Sequence, residues 1–193
     1  IGSMHGNEHK GINVVRGLRK SGIPPKNDVQ IWTITTMNPD GSARDARNNA
    51  RNVDLNRNFP FGWSKQAPFS GRGPASEPET SAIVSFITKL RPDAVLSFHQ
   101  RGNTVFSVCS AQSREWVRRT GKLMGLPVPK KANCRAESKQ YRGTMNDWYS
   151  AQFPGFFATV ELPPSRKVTK KKVRRYVAAT RTLALEMQDR VSV

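Results

Sequence analysis

The stretch Ser3-Met4-His5-Gly6-Asn7-Glu8-His9-Lys10-Gly11 stands where an apolar start, Ile1-Gly2-Ser3-Met4, gives way to a helical pattern. Beyond it Ile12, Val15 and Leu18 fall on one helix face, and Gly22 with Pro24-Pro25 closes the pattern. The periodicity therefore predicts a helix over residues 8–20, fed directly by a strand. A histidine and a carboxylate three positions apart in such a turn can converge on one metal ion. A plain surface turn uses the same residues, so the stretch alone leaves both readings open.

Working outward, the same alternation recurs. Val29-Gln30-Ile31-Trp32-Thr33-Ile34-Thr35 is rich in β-branched residues and predicts a buried strand. From Asn38 to Ala75 periodicity vanishes in favour of Asn, Arg, Gly, Pro and isolated aromatics; an irregular stretch of that length is functional or disordered. Ser76-Glu77-Pro78-Glu79 has the form of a capping box, and Ile83, Phe86, Ile87 and Leu90 supply the stripe of the helix it would open. Strands are expected over residues 93–98, 104–109 and 156–162, and helices over 114–124 and 168–189. Such alternation predicts an α/β fold: one domain over residues 1–193, with a mixed, largely parallel sheet flanked by helices. Because the chain opens inside a strand, the N-terminal strand region is expected to be truncated, and the compartment, cytoplasmic or exported, stays open.

Composition narrows the partners. Thirty-two Lys and Arg against 14 Asp and Glu give a net charge of +18, which biases the surface toward polyanions. Part of that charge lies in residues 166–175, at the head of a helical pattern carrying Val173, Val177, Leu183 and Met187, and reads as a solvated basic face. Tyr176 is the only aromatic there, so no specific nucleic-acid partner is expected. No apolar run approaches the roughly 20 residues of a membrane-spanning helix. Cys109 and Cys134 lack the spacing of a metal or redox pair, and whether they bridge stays open.

In parallel sheets ligands bind beyond the carboxyl ends of the strands. His5, His99 and Glu161 all fall there. With Glu8, the two histidines make a two-His-one-carboxylate set that leaves a fourth zinc position for water. The irregular stretch adds Asp54-Leu55-Asn56-Arg57-Asn58-Phe59-Pro60, in which an Asn-Arg pair suits a carboxylate: guanidinium offers a bidentate fork and the amide a further donor.

Taken in order, His5-Gly6-Asn7-Glu8, Asn38-Pro39-Asp40-Gly41, Val53-Asp54-Leu55-Asn56-Arg57-Asn58-Phe59-Pro60, Ser76-Glu77-Pro78-Glu79-Thr80, Ser97-Phe98-His99 and Thr159-Val160-Glu161-Leu162-Pro163 resemble the motifs of the M14 family of zinc carboxypeptidases. The short distance from Asn38 to Arg57, with Arg47-Asn48-Asn49-Ala50 between, is most similar to its compact bacterial branch, whose murein peptide amidases hydrolyse the γ-D-glutamyl–diaminopimelate bond. The resemblance implies one Zn²⁺ held by His5, Glu8 and His99, with Glu161 as general base and acid. It further implies Asn56 and Arg57 as the clamp for a substrate carboxylate, and a peptide or peptidoglycan peptide as substrate. An arginine must also face the developing oxyanion; Arg47 is the choice by spacing, with Arg44 as the alternative. Tyr141 resembles the family's tyrosine that closes over substrate, although a core aromatic pair of Tyr141 and Trp148 accounts for it equally. Asn52 departs from the family in standing where many relatives have glycine.

Two further readings stay beside this one. The aspartoacylase and succinylglutamate desuccinylase deacylases share H-x-x-E, an Asp-Leu-Asn-Arg segment and a later histidine. A non-catalytic basic binding module on the same fold would lack a ligand, the clamp or the base.

Overall fold

The computed structural model describes residues 1–22, 28–107, 111–129 and 141–191. Pro24, Pro25, Cys109 and Cys134 lie outside the described residues, so neither the helix stop at the two prolines nor the question of a bridge is addressed by it.

Three strands form the sheet. β1 (Ala94–Gln100) runs parallel to β3 (Phe156–Leu162), in register from Ala94↔Phe156 to Gln100↔Leu162. β2 (Thr104–Phe106) lies antiparallel on the other side of β3, from Thr104↔Glu161 to Phe106↔Thr159. The sheet is thus mixed, in the order β1-β3-β2. Of the stretch expected to be a strand over 104–109, Thr104–Phe106 pair, and residues 108 and 109 lie outside the described residues.

The strand expected at Val29–Thr35 does not form. Its neighbour is the extended start of the chain, which itself lies against β1 through the Phe98 N–H to Ile1 O bond of 2.9 Å. Two bonds tie the segment to that start, Gly2 N to Ile34 O at 2.8 Å and Met37 N to Ser3 O at 2.7 Å, before the chain turns away at His5. Trp32, expected inside, is 58% exposed and packs edge-on against Phe86.

Helices cover both faces. α1 (Lys10–Ser21) buries Gly11, Val14, Val15 and Leu18; it starts two residues later than predicted, with His9 at the N-cap. Together with α4 (Ala111–Met124) and α6 (Lys170–Val191) it packs on the sheet face formed by Phe98, Phe156, Ala158, Val160 and Leu162. The opposite face, with Val95 and Phe157, meets α3 (Pro78–Leu90), α5 (Met145–Gln152) and the buried Leu55 and Phe59. Strand alternation then puts Ser97 and His99 of β1, and Thr159 and Glu161 of β3, on this second face. No described helix is long and apolar enough to cross a membrane.

The irregular stretch is ordered by side chains rather than by ladders. It contains a short helix, α2 (Pro39–Ala43), and a 3₁₀ turn, Leu55–Arg57. Asn49 Oδ1 accepts from the N–H groups of Arg51 and Val53, and Asn58 Nδ2 donates to Ser70 O and Gly73 O. Asn52 adopts φ 60°, a left-handed conformation that asparagine tolerates and glycine favours. The expected capping box at Ser76 is not made: Glu77 is the N-cap of α3 without a side-chain cap bond, because the Ser76 hydroxyl donates to Glu77 Oε1 and accepts from Asn58 Nδ2.

Candidate metal centre and active site

His5 and Glu8 occupy the tight turn between the extended start and α1, closed by Glu8 N–H to His5 O at 3.1 Å. Gly6 lets this turn press against the loop after α2. Its N–H donates to Arg47 O at 3.2 Å, and a Cβ there would stand 2.0 Å from the carbonyl carbon of Gly41. His99 enters from β1, one strand away from Glu161 and in register with it.

The three side chains meet. His5 Nδ1 is 2.9 Å from Glu8 Oε1, His99 Nδ1 is 3.2 Å from Glu8 Oε2, and the two Nδ1 atoms are 3.3 Å apart. Ligand atoms on one face of a tetrahedral zinc at about 2.0–2.2 Å lie roughly 3.3 Å from each other, so the spacing suits that ion. All three residues are buried, and Glu8 Oε2 faces only the His99 ring nitrogen, with no donor of fixed charge beside it. A carboxylate oxygen left so inside a protein is costly unless a cation meets it. The donor set therefore fits a metal ion, and among the described residues it is the only His, Cys and carboxylate cluster of this kind.

The outer ring nitrogens are engaged as metal histidines require. His5 Nε2 faces Asp54 Oδ1 at 3.1 Å, and His99 Nε2 faces Ser97 Oγ at 3.1 Å. With the Nε2 proton held by a neighbour, each Nδ1 keeps its lone pair for the shared point. Burial would lower the pKa of His5, but the hydrogen bonds and charges of Asp54 and Glu8 outweigh it and raise the value. For Glu8 burial works upward, yet the hydrogen bonds and charges of His5 and His99 win and hold it at about 2.

Arg47 binds this centre from the side. Its Nε and Nη2 donate to Asp54 Oδ2 at 3.1 and 3.0 Å, and its Nη1 donates to Glu8 Oε1 at 3.3 Å, while the side chain remains 45% exposed toward a cavity of about 620 Å³. Arg44 caps the end of α2 and does not line that cavity. Glu161, Asn56, Arg57 and Tyr141 all do. Glu161 accepts from Gly102 N–H at 3.1 Å. Asn56 Oδ1 accepts from Met145 N–H at 3.0 Å, which ties the clamp segment to the head of α5. The Arg57 guanidinium stacks over the Tyr141 ring at 4.9 Å, whereas Trp148 packs on Phe59 and Phe153 in the core. The two aromatics of the core-pair reading thus have different surroundings.

Sequence reasoning quoted Asp54 but gave it no part; the structure makes it the hub between His5 and Arg47. Its signal was the polar start of Asp54-Leu55-Asn56-Arg57. Glu77 was read only as part of a helix cap. It is 2% exposed, takes a 2.8 Å hydrogen bond from Asn49 Nδ2, and its N–H donates to Asn58 Oδ1, so it grips the loop on both sides of Asp54.

The family model for zinc carboxypeptidases, Peptidase_M14, matches residues 26–184. The chain belongs to the zinc carboxypeptidase family. Murein peptide amidase A of Vibrio campbellii is 32% identical over 148 residues, which cover 68% of this chain and 56% of that relative. The chain thus spans little more than half the length of the curated relative. Among solved structures, murein-tripeptide amidase MpaA from Escherichia coli O157 superposes with a TM-score of 0.73 at 25% identity, over 93% of this chain and 78% of the other. Carboxypeptidase A from Helicoverpa armigera gives 0.75 at 19% identity, over 95% and 59%, which speaks for the fold alone.

Proposed function

We propose that the chain is a zinc-dependent hydrolase that cleaves an amide bond next to a free carboxylate, with peptidoglycan-derived peptides as substrate and the γ-D-glutamyl–diaminopimelate linkage as the bond. The observation that carries this reading is the convergence of His5, Glu8 and His99 on one point of a cavity that also holds Glu161, Arg47, Asn56 and Arg57. The name of the sequence relatives and the compact loop between Asn38 and Arg57 support the choice of substrate.

Zinc held by these three residues would lower the pKa of a water from about 15.7 toward about 7. The protein's own groups do the rest. The Glu161 carboxylate takes the proton of the attacking water and hands it to the departing amine, so that one group serves as base and then as acid. Arg47 offers its guanidinium to the substrate oxygen as negative charge builds on it, and fixed charge there favours the transition state over the ground state. Asn56 and Arg57 hold the terminal carboxylate, and Tyr141, stacked on Arg57, closes over it. Asp54 orients both His5 and Arg47.

The deacylase and binding-module readings have less support, because the family model and the sequence relatives stand on the peptidase side and ligands, clamp and base share one cavity. The test is incubation of zinc-loaded protein with the murein tripeptide L-Ala-γ-D-Glu-diaminopimelate, with plain peptides ending in a free or amidated carboxylate, and with an N-acyl amino acid, the products being identified by mass. Release of diaminopimelate is expected. It should vanish on chelation, and in Glu161→Gln it should fall by about 10² to 10⁴-fold while zinc stays bound. Cleavage of the N-acyl amino acid alone would transfer the chain to the deacylases.

A further inference from the structure

β1 and β3 end side by side, with Gln100 the last residue of β1 and Leu162 opposite it. Gln100 is 8% exposed and lines the cavity, yet its amide is engaged by other segments of the chain on either side. Oε1 accepts from Lys10 N–H at 3.0 Å, while Nε2 donates to Pro163 O at 3.0 Å and to Ser165 Oγ at 3.2 Å. The partners fix the orientation of the amide: a backbone N–H only donates and a carbonyl only accepts, so a flipped group would fail at both ends.

The places of these partners in the chain give the contact its meaning. Lys10 stands two residues after Glu8, Gln100 follows His99 directly, and Pro163 stands two residues after Glu161. One side chain therefore ties together the segments that carry the two donors and the base. His9, the N-cap of α1, makes no side-chain cap bond, and Gln100 pairs an N–H of the first turn that a helix leaves orphaned. The turn beyond Gln100 extends the hold to Glu161. Gly102 N–H donates to Glu161 Oε2 at 3.1 Å, and a Cβ at Gly102 would stand 3.0 Å from Glu161 Cβ, so this turn lies directly on the side chain of the base. An apolar side chain of equal volume at position 100 would leave Lys10 N–H and Pro163 O without the amide, and the head of α1 and the ends of both strands would lose their common tie.

We infer that Gln100 is a positioning residue of the active site, holding Glu8 and His99 against each other and Glu161 against both. The inference rests on the proposed amidase reading, but its first readout needs no turnover. That readout is the visible absorption of protein loaded with Co²⁺, which follows the geometry of the donors, together with Co²⁺ and Zn²⁺ affinities from competition with a chelator. Gln100→Met should alter the cobalt spectrum and weaken metal affinity by about 10 to 100-fold, as loss of an outer partner does. At saturating zinc its kcat on the murein tripeptide should still fall by about tenfold or more through the displaced Glu161, with KM little changed, because Asn56 and Arg57 stand on a different loop. Gln100→Asn, too short to span both partners, is the second variant in case the first folds poorly, and should move the same quantities in the same direction. Arg175→Met is the comparison. It removes hydrogen bonds to Leu123 O and Lys122 O that join α6 to α4 on the other face of the sheet, and it should lower Tm alone. Gln100 variants that lower Tm in the same way, with spectrum, affinity and kcat unchanged, would overturn the inference. Wild-type protein that binds Co²⁺ but cleaves no substrate would fail the amidase reading, and a changed spectrum in the Gln100 variants would then still sustain the positioning of the donors.

Discussion

At the scale of single residues the proposed metal site sets a proton against a metal for His5 Nδ1. Asp54 and Glu8 raise the His5 pKa, so the proton competes at a higher pH than it would for a free imidazole. Zinc affinity should therefore climb between pH 6 and 8, with proton release on binding, as titration at several pH values would show. In the metal-free protein the sign differs. A raised histidine pKa contributes stability that is fully present below the ordinary value of about 6.5 and is lost as pH rises through the folded value. Glu8, held at about 2, contributes stability that is present above the ordinary carboxylate range and is lost on acidification toward that value. Melting curves in chelator should thus fall on the alkaline side of pH 6.5, and zinc should remove that fall. A second prediction separates the two arginines. Arg57→Ala should chiefly raise KM, and should matter little for an amidated substrate, because a clamped carboxylate is present in ground and transition states alike. Arg47→Ala should lower kcat by about 10² to 10³-fold, as loss of an oxyanion donor does. Because Arg47 also touches Asp54 and Glu8, zinc content must be measured alongside; a loss of kcat that follows zinc loss alone would reduce Arg47 to a support of the metal site.

Among the elements, the loop between α2 and α3 carries Arg47, Asp54, Asn56 and Arg57, and its shape depends on close backbone contact with the His5–Glu8 turn. Gly6 is where the two touch. A methyl group there meets the backbone of Gly41 and Ala46, at 2.0 and 2.3 Å, and neither can rotate away. Gly6→Ala should therefore cost about 1–3 kcal/mol of stability, as overpacking does, and should weaken zinc binding by displacing His5 and Glu8 together. Calorimetry and metal titration on one preparation check this; an unchanged melting temperature would show that the turn can slide. Helices with a clear apolar stripe, α1, α3 and α6, were legible in the sequence within a few residues of their ends. α5 was not, because Met145-Asn146-Asp147-Trp148-Tyr149-Ser150 shows no clean stripe when one helix face meets the core and the other a polar cavity. The strand expected at residues 29–35 is the converse case: its composition suits a strand, but the segment makes only two backbone bonds to the start of the chain and Trp32 faces solvent.

For the molecule as a whole, the net charge is +18, and the cavity is lined by Arg47, Arg57, Arg101 and Arg142. Encounter with an acidic peptide should be steered by that field. The kcat/KM for substrates of net negative charge is expected to fall steeply as ionic strength rises from about 10 to 200 mM, where the screening length shrinks from about 30 Å to below 10 Å, and to stay flat for a neutral substrate. Equal salt profiles would confine the basic residues to solubility. The sequence by itself determined the alternation of elements, the family motifs and their order, and hence the candidacy of His5, Glu8, His99 and Glu161, because hydrophobic periodicity and motif chemistry are local in the chain. Beyond the set that the family motifs bring together, it was silent on which side chains touch. Only the tertiary structure brought Asp54 to His5, put Arg47, the choice by spacing, on the cavity wall without Arg44, and set Glu161 beside His99 through the parallel register. Those outcomes follow from how a sheet and its loops close on each other, and no spacing along one chain encodes a distance between two side chains until that closure is made.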